Sequence, residues 1–307
     1  MSTATPEMTR KEIPDCYPSR QLTEPHTQDR VDPVVYGHAQ GGHGLSEAQL
    51  LAFDRDGYLF FPELFPRDEI RSYAGELQRL AAKGGTGPET ILEPSSGDVR
   101  SIFQVHRNHA VFRDLSRDRR LTRIAFGLLD SDVYIHQSRV NLKPGFVGKE
   151  FYWHSDFETW HVEDGMPRMR AVSCSINLTD NHATNGPVMV IPGSHRQFVA
   201  CVGQTPENHY QKSLRRQEYG VPDQAILSRL AAERGIEAPV GPAGSVLFFD
   251  CNLLHGSNSN ITPFPRSNIF FVYNSTLNRL TDPFGNIPPR PEFVATRDGV
   301  DPILRNG

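Results

Sequence analysis

At 307 residues, with 37% hydrophobic and 22% charged side chains, the chain can bury a sizeable core, and wholesale disorder is excluded. A net charge of −4 excludes the positive field expected of a protein built to hold nucleic acid or an anionic membrane. The four cysteines, Cys16, Cys174, Cys201 and Cys251, are far apart and form no C-x-x-C pair, which points to reduced, inert thiols.

Residues 1–44 are polar, carry prolines and end in GHAQGGHG, and they read as a loosely ordered N-terminal arm. The opening MSTATPEMTRKEIPDCYPSR lacks the apolar stretch of a secretory signal, and no apolar run approaches the roughly 20 residues of a membrane helix. A cytoplasmic protein is therefore expected. A single domain is expected over 45–307, with a helical part at 45–130, a strand-rich core at about 131–280 and a C-terminal segment at 281–307. Ser46 in SEAQLLAF is placed to cap a helix. GYLFFPELF reads as a strand. Pro66 opens an amphipathic helix whose stripe is Ile70, Tyr73, Leu77 and Leu80. HAVFRDLSRDRRLTRIAFGLL predicts one further helix.

After Ser131 the period changes to two. In VYIHQSRVN, the residues Val133, Ile135, Gln137, Arg139 and Asn141 fall on one face. AVSCSINL, GPVMVIPGSH, GSVLFFDC and NIFFVYNS continue the strands, separated by Gly, Pro and Asn turns and interrupted by a helix near DQAILSRLAAERG. Many short strands point to a sandwich or barrel. A plain core would make Gln137, Arg139 and Asn141 costly, whereas a solvent face or a barrel holding a polar ligand would not.

YWHSDFETWH, residues 152–161, carries the first chemical signal. On a strand, His154 and Asp156 would point to the same side and could reach one ion. H-x-D is weak alone, because a chain with 12 histidines meets it by chance about once. His161 and Glu163 form a rival pair, but they run into a loop-like DGMP and are expected to brace it. The third ligand is expected at His255, where an apolar strand ends in a polar turn. Arg266, 11 residues later, can offer a guanidinium fork to a small carboxylate. The conjunction of H-x-D, a distant histidine and this arginine matches the layout of Fe(II)- and 2-oxoglutarate-dependent dioxygenases. His195 is expected to order a turn, and His106 and His136 to be structural.

Over about Leu45–Asp301 the chain resembles the phytanoyl-CoA dioxygenase-like superfamily, and within it the ectoine-hydroxylating members. The segments carrying the resemblance are QSRVNLKPG (137–145), FYWHSDFETWHVEDGMP (151–167), NGPVMVIPGSHR (185–196), FFDCNLLHGSNSN (248–260) and PRPEFVATR (289–297). It implies a mainly β fold with flanking helices around a double-stranded β-helix, a cupin-like jelly roll. His154, Asp156 and His255 would bind Fe(II), and Asp156 argues against a halogenase. 2-Oxoglutarate would meet Arg266, helped by Ser257, Ser173 or Asn141, and O2 would take the last metal position.

For ectoine, a cyclic amidinium with one carboxylate, the resemblance implies an aromatic surface and a polar group for each end. Trp160 is the leading ring, followed by Phe249 and Phe270. Gln137 and Thr159 would supply hydrogen bonds, and either Arg139 or Arg290 a cation. A homodimer is also implied. The alternatives are the same chemistry on another small amino or imino acid and a cupin-like metal-binding protein without oxygenase activity. A zinc hydrolase lacks its HExxH signature here.

Overall fold

The computed structural model describes residues 13–38, 44–84, 87–93, 97–206, 208–214 and 219–305. Its strands in chain order are β1 (His26–Asp29), β2 (Tyr58–Phe61), β3 (Thr90–Leu92), β4 (Val99–Phe103), β5 (Val133–Lys143), β6 (Phe151–His154), β7 (Ala171–Asn177), β8 (Val188–Val190), β9 (Gln197–Ala200), β10 (Val246–Asp250), β11 (His255–Ser257) and β12 (Arg266–Ser275). The helices are α1 (Glu47–Asp56), α2 (Arg67–Lys83), α3 (Val105–Asn108), α4 (Ala110–Ser116), α5 (Arg119–Leu129), α6 (Asp156–Thr159), α7 (Tyr210–Ser213) and α8 (Gln224–Arg234).

Alternation within the strands sorts the layers. On β7, Val172, Cys174 and Ile176 join Phe248, Phe271, Leu77 and Leu121 in the largest apolar cluster, where helices cover one face of the major sheet. Ser173, Ser175 and Asn177 point the other way and are equally buried. The major sheet has seven strands in the order β2-β10-β7-β12-β5-β4-β3, and a second sheet has three in the order β6-β11-β8. Val188 and Val190 of the small sheet pack with Leu247, Phe249 and Phe270 of the large one, so an interior lies between the sheets.

Local signals account for the helix ends. Ser46 and Gln49 form a reciprocal capping box on α1. Gly57 ends that helix with φ 81°, and a Cβ there would come within 2.4 Å of His195 Nδ1. His195 in turn donates Nε2–H to the Asp54 carbonyl (3.0 Å), a turn-ordering role as expected. The single helix expected over 109–129 is broken, because Asp118 caps α5 by accepting from Arg120 N.

Two expectations are corrected. β5 does not keep one alternating face. Its pairing with β12 slips between Val272, opposite Gln137, and Tyr273, opposite Ile135, which makes His136 an extra residue. The bulge sends Val133 and Ile135 into the helical layer and turns Arg139, Asn141 and Lys143 towards the interior. The N-terminal arm is not loose over 13–38. There β1 pairs with β9, and Tyr17 is fully buried. The rest of that arm, 1–12 and 39–43, lies outside the described residues. Leu77→Ala, which opens a cavity between α2 and the sheet, is expected to lower the unfolding free energy by about 2–5 kcal/mol, measured by denaturant titration.

Candidate metal centre

His154 is the last residue of β6, and His255 opens β11 directly opposite it in the antiparallel ladder. Asp156 is not on the strand with His154. Ser155 leaves the strand, caps α6 through its hydroxyl, and makes Asp156 the first helical residue. The two-residue spacing therefore works through a strand-to-helix turn rather than through strand alternation. That turn is pinned on two sides: Phe157 N donates to Cys251 O (2.8 Å), and Ser155 Oγ donates to Asn252 Oδ1 (3.0 Å).

The three ligand atoms lie within 4.8 Å of one another, the one such convergence among the described residues. Asp156 Oδ1 is 3.6 Å from His154 Nε2 and 3.9 Å from His255 Nε2. Both rings are oriented from behind: Nδ1 of His154 is 2.8 Å from Tyr152 O, and Nδ1 of His255 is 2.9 Å from Leu253 O. A carbonyl only accepts, so each Nδ1 carries the hydrogen and each Nε2 presents a lone pair to the shared point. Ser173 Oγ donates to Asp156 Oδ2 (3.1 Å), leaving Oδ1 towards the imidazoles. Burial, then the field of His154, pushes His255 down to about 4, so it is neutral at physiological pH. Burial alone would raise Asp156. The fields of His255, His154 and Arg139 outweigh it and hold the carboxyl well below its usual range. Two imidazoles and one carboxylate fit a divalent transition metal with open positions.

The site opens into a cavity lined by His154, His255, Arg139, Asn141, Lys143 and Arg266. Its far wall is crowded with cations. Arg266 is buried, donates one Nη to Gly186 O (2.8 Å), and has an Nε with no partner. Burial, with Arg100 and Arg139 nearby, lowers it to about 10, still charged. Lys143, paired with Arg266 across β5 and β12, donates to Ser257 Oγ (2.9 Å) and Asn258 O (2.6 Å). Arg100 is paired with Glu93 (2.9 Å). An orphaned guanidinium N–H among buried cations fits a bound carboxylate.

The expected residues divide into two groups. Arg266, Asn141, Ser257, Arg139 and Phe270 line the cavity with the two histidines. Asn141 accepts from Ser101 Oγ, and Arg139 sits over the Phe270 ring, 4.8 Å from its centroid. Phe249 packs against His255 (ring centroids 4.8 Å apart). Ser173 serves Asp156 rather than the cationic wall.

Gln137 is spent on Val294 O (2.8 Å) and on accepting from Arg139 (2.5 Å). Trp160, Thr159 and Arg290 have protein partners of their own. Trp160 lies edge-on to His136 in an apolar cluster with Met166, Met169 and Val272. Thr159 accepts from Arg20 (3.4 Å), and Arg290 forks onto Asp164 (2.7 and 2.5 Å). The helical path after Asp156 turns successive side chains around an axis, so nearness in sequence to His154 does not by itself fix where Thr159 and Trp160 point. His161 stacks on Phe284 and contacts Asp15, bracing its segment as expected. Lys143 was missed, although continuing the 139–141 alternation by one step reaches it.

A family model described as phytanoyl-CoA dioxygenase (PhyH) matches residues 53–268. The ectoine dioxygenase of Stutzerimonas stutzeri (strain A1501) is 54% identical over 94% of this chain and 96% of its own length. Crystal structures of EctD from S. alaskensis are similar throughout. The apoform gives a TM-score of 0.86 at 47% identity, covering 95% of this chain and 98% of that one. The structure with bound Fe gives 0.83 at 48%, and that with 2-oxoglutarate and 5-hydroxyectoine 0.84 at 49%, each covering 92% of this chain and 95% of the other. The fold is accordingly the cupin-like double-stranded β-helix that the resemblance implied.

Asp156→Ala leaves the oriented imidazoles but deletes the anionic ligand. Fe(II) affinity, measured by anaerobic equilibrium dialysis, is expected to fall by on the order of 100-fold or more with the fold retained.

Proposed function

Since the chain belongs to the phytanoyl-CoA dioxygenase family, we propose that it hydroxylates ectoine to 5-hydroxyectoine, using Fe(II), O2 and 2-oxoglutarate and releasing succinate and CO2. The observation that carries the reading is the convergence of His154, Asp156 and His255 beside a cavity also lined by Arg266, whose Nε is buried without a partner. Fe(II), when bound, supplies the O2 activation that couples decarboxylation of 2-oxoglutarate to C–H hydroxylation.

The protein's own part is positioning. Arg266 and Lys143 take the distal carboxylate of 2-oxoglutarate, with Ser257 and Asn141 at the sides. Arg139 takes the ectoine carboxylate in preference to Arg290, whose fork is committed to Asp164. The Phe270 ring offers the apolar surface in place of Trp160. The buried walls exclude water from the reacting carbon. Among the described residues no helix is long and apolar enough to cross a membrane. All four cysteines are free, which supports the cytoplasm as the compartment. The direct test is anaerobic loading with Fe(II) and 2-oxoglutarate, then O2, with mass spectrometry of ectoine. A gain of one oxygen atom is expected, and unchanged ectoine with normal 2-oxoglutarate turnover would redirect the reading to another small substrate.

Arg266→Met is expected to raise the 2-oxoglutarate Kd by on the order of 100-fold while sparing Fe(II) binding, as read by calorimetry. The same instrument tests Lys143. Burial, then Arg266 and Arg100, push its amine down to about 6, so it is neutral above that pH in the free site. A dicarboxylate at Arg266 favours the charged amine, so the complex holds more protons than the free protein. Proton uptake on binding is therefore expected at neutral pH, with affinity highest below about 6 and falling as pH rises. Heats independent of buffer ionisation enthalpy would remove Lys143 from the clamp.

A further inference from the structure

We infer that the N-terminal segment Asp15–Arg20 is a clasp that positions the metal carboxylate, with Arg20 as its principal residue; the inference rests on the metal reading of His154, Asp156 and His255. Four side chains of this segment grip the same nine residues, 156–164. Asp15 Oδ1 is 2.9 Å from His161 Nε2. The Tyr17 ring stands edge-on to Phe157, centroids 5.2 Å apart. Ser19 Oγ donates to Glu158 Oε1 (2.6 Å). Arg20 donates to both oxygens of Glu158 (3.0 and 2.7 Å) and to Glu163 Oε1 (2.6 Å).

The grip falls on a weak point of the backbone. Immediately after α6 the helix widens into a π-turn, Trp160–Asp164. A π-turn brings residues five apart to one side, so Glu158 and Glu163 stack there as two buried carboxylates. Like charges so placed repel, and the guanidinium between them makes the arrangement tenable. Among the described residues Arg20 is the one cation within 4.0 Å of Glu158. Arg20 itself has φ 58°, a left-handed conformation disfavoured for a long side chain. It is held by its N–H to Cys201 O (2.9 Å) and by Ser19 Oγ accepting from Cys201 N (2.9 Å). Asp156 begins the helical run that Arg20 holds, two residues before Glu158. The family match begins at residue 53, so the clasp lies outside the segment that defines the family.

The test uses the full chain and reads Fe(II) affinity by anaerobic equilibrium dialysis beside thermal melting. Arg20→Met is expected to raise the Fe(II) Kd by on the order of 10–100-fold, and Arg20→Lys, which keeps the charge but not the fork, by less. Leu77→Ala, far from the clasp, is expected to lower the melting temperature without moving the Kd. Wild-type Fe(II) affinity in Arg20→Met, or a loss no larger than that of Leu77→Ala, would overturn the inference. If Arg20→Met does not melt cooperatively, Ser19→Ala decides: a Kd raised several-fold supports the clasp, and an unchanged Kd overturns it. His154→Ala with undiminished Fe(II) binding would sink the metal reading itself, a result distinct from either of these.

Discussion

The antiparallel register between β6 and β11 is the constraint from which the site follows. It sets the Cα of His255 opposite that of His154, and the carbonyl two residues before each histidine then holds its ring by Nδ1. Sliding β11 by one residue would turn His255 to the other face of a three-residue strand. The short β11 is held in place because β8 pairs on its other edge. Once both Nε2 atoms face one point, a single carboxylate at the next helix start completes the donor set.

The cavity is walled by cations. Arg100, Arg139, Lys143 and Arg266 are gathered on inward positions of β4, β5 and β12, with Glu93 and Asp156 as the acidic counterparts. Burying cations in excess is unfavourable without an anion, and the lowered basicity of Lys143 and Arg266 reflects that cost. A dianion bound there would remove the imbalance. Arg290, by contrast, is paired with Asp164 and Glu163.

The β-bulge at His136 links fold and site. Without it, the face that packs Val133 and Ile135 beneath the helices would also carry Gln137, Arg139 and Asn141 into an apolar layer. One extra residue reverses the strand's facing midway, so the first half serves the core and the second half serves the cavity. The conflict visible in VYIHQSRVN was real, and the bulge resolves it.

By itself the sequence determined the elements with strong local signals: the Ser46 cap, the stripe of α2, the short strands after Ser131, and the identity of the metal ligands within specific segments. It could do so because capping, periodicity and ligand chemistry are written in neighbouring residues. Only the tertiary structure decided what depends on partners far along the chain. Asp164 claims Arg290 from 126 residues away, Trp160 turns into a packed cluster, and Arg20, in a stretch that reads as loose arm, is drawn into the interior by Glu158, 138 residues on. No local pattern encodes such pairings, because they arise when strand register and bulges bring distant charges into one low-dielectric space.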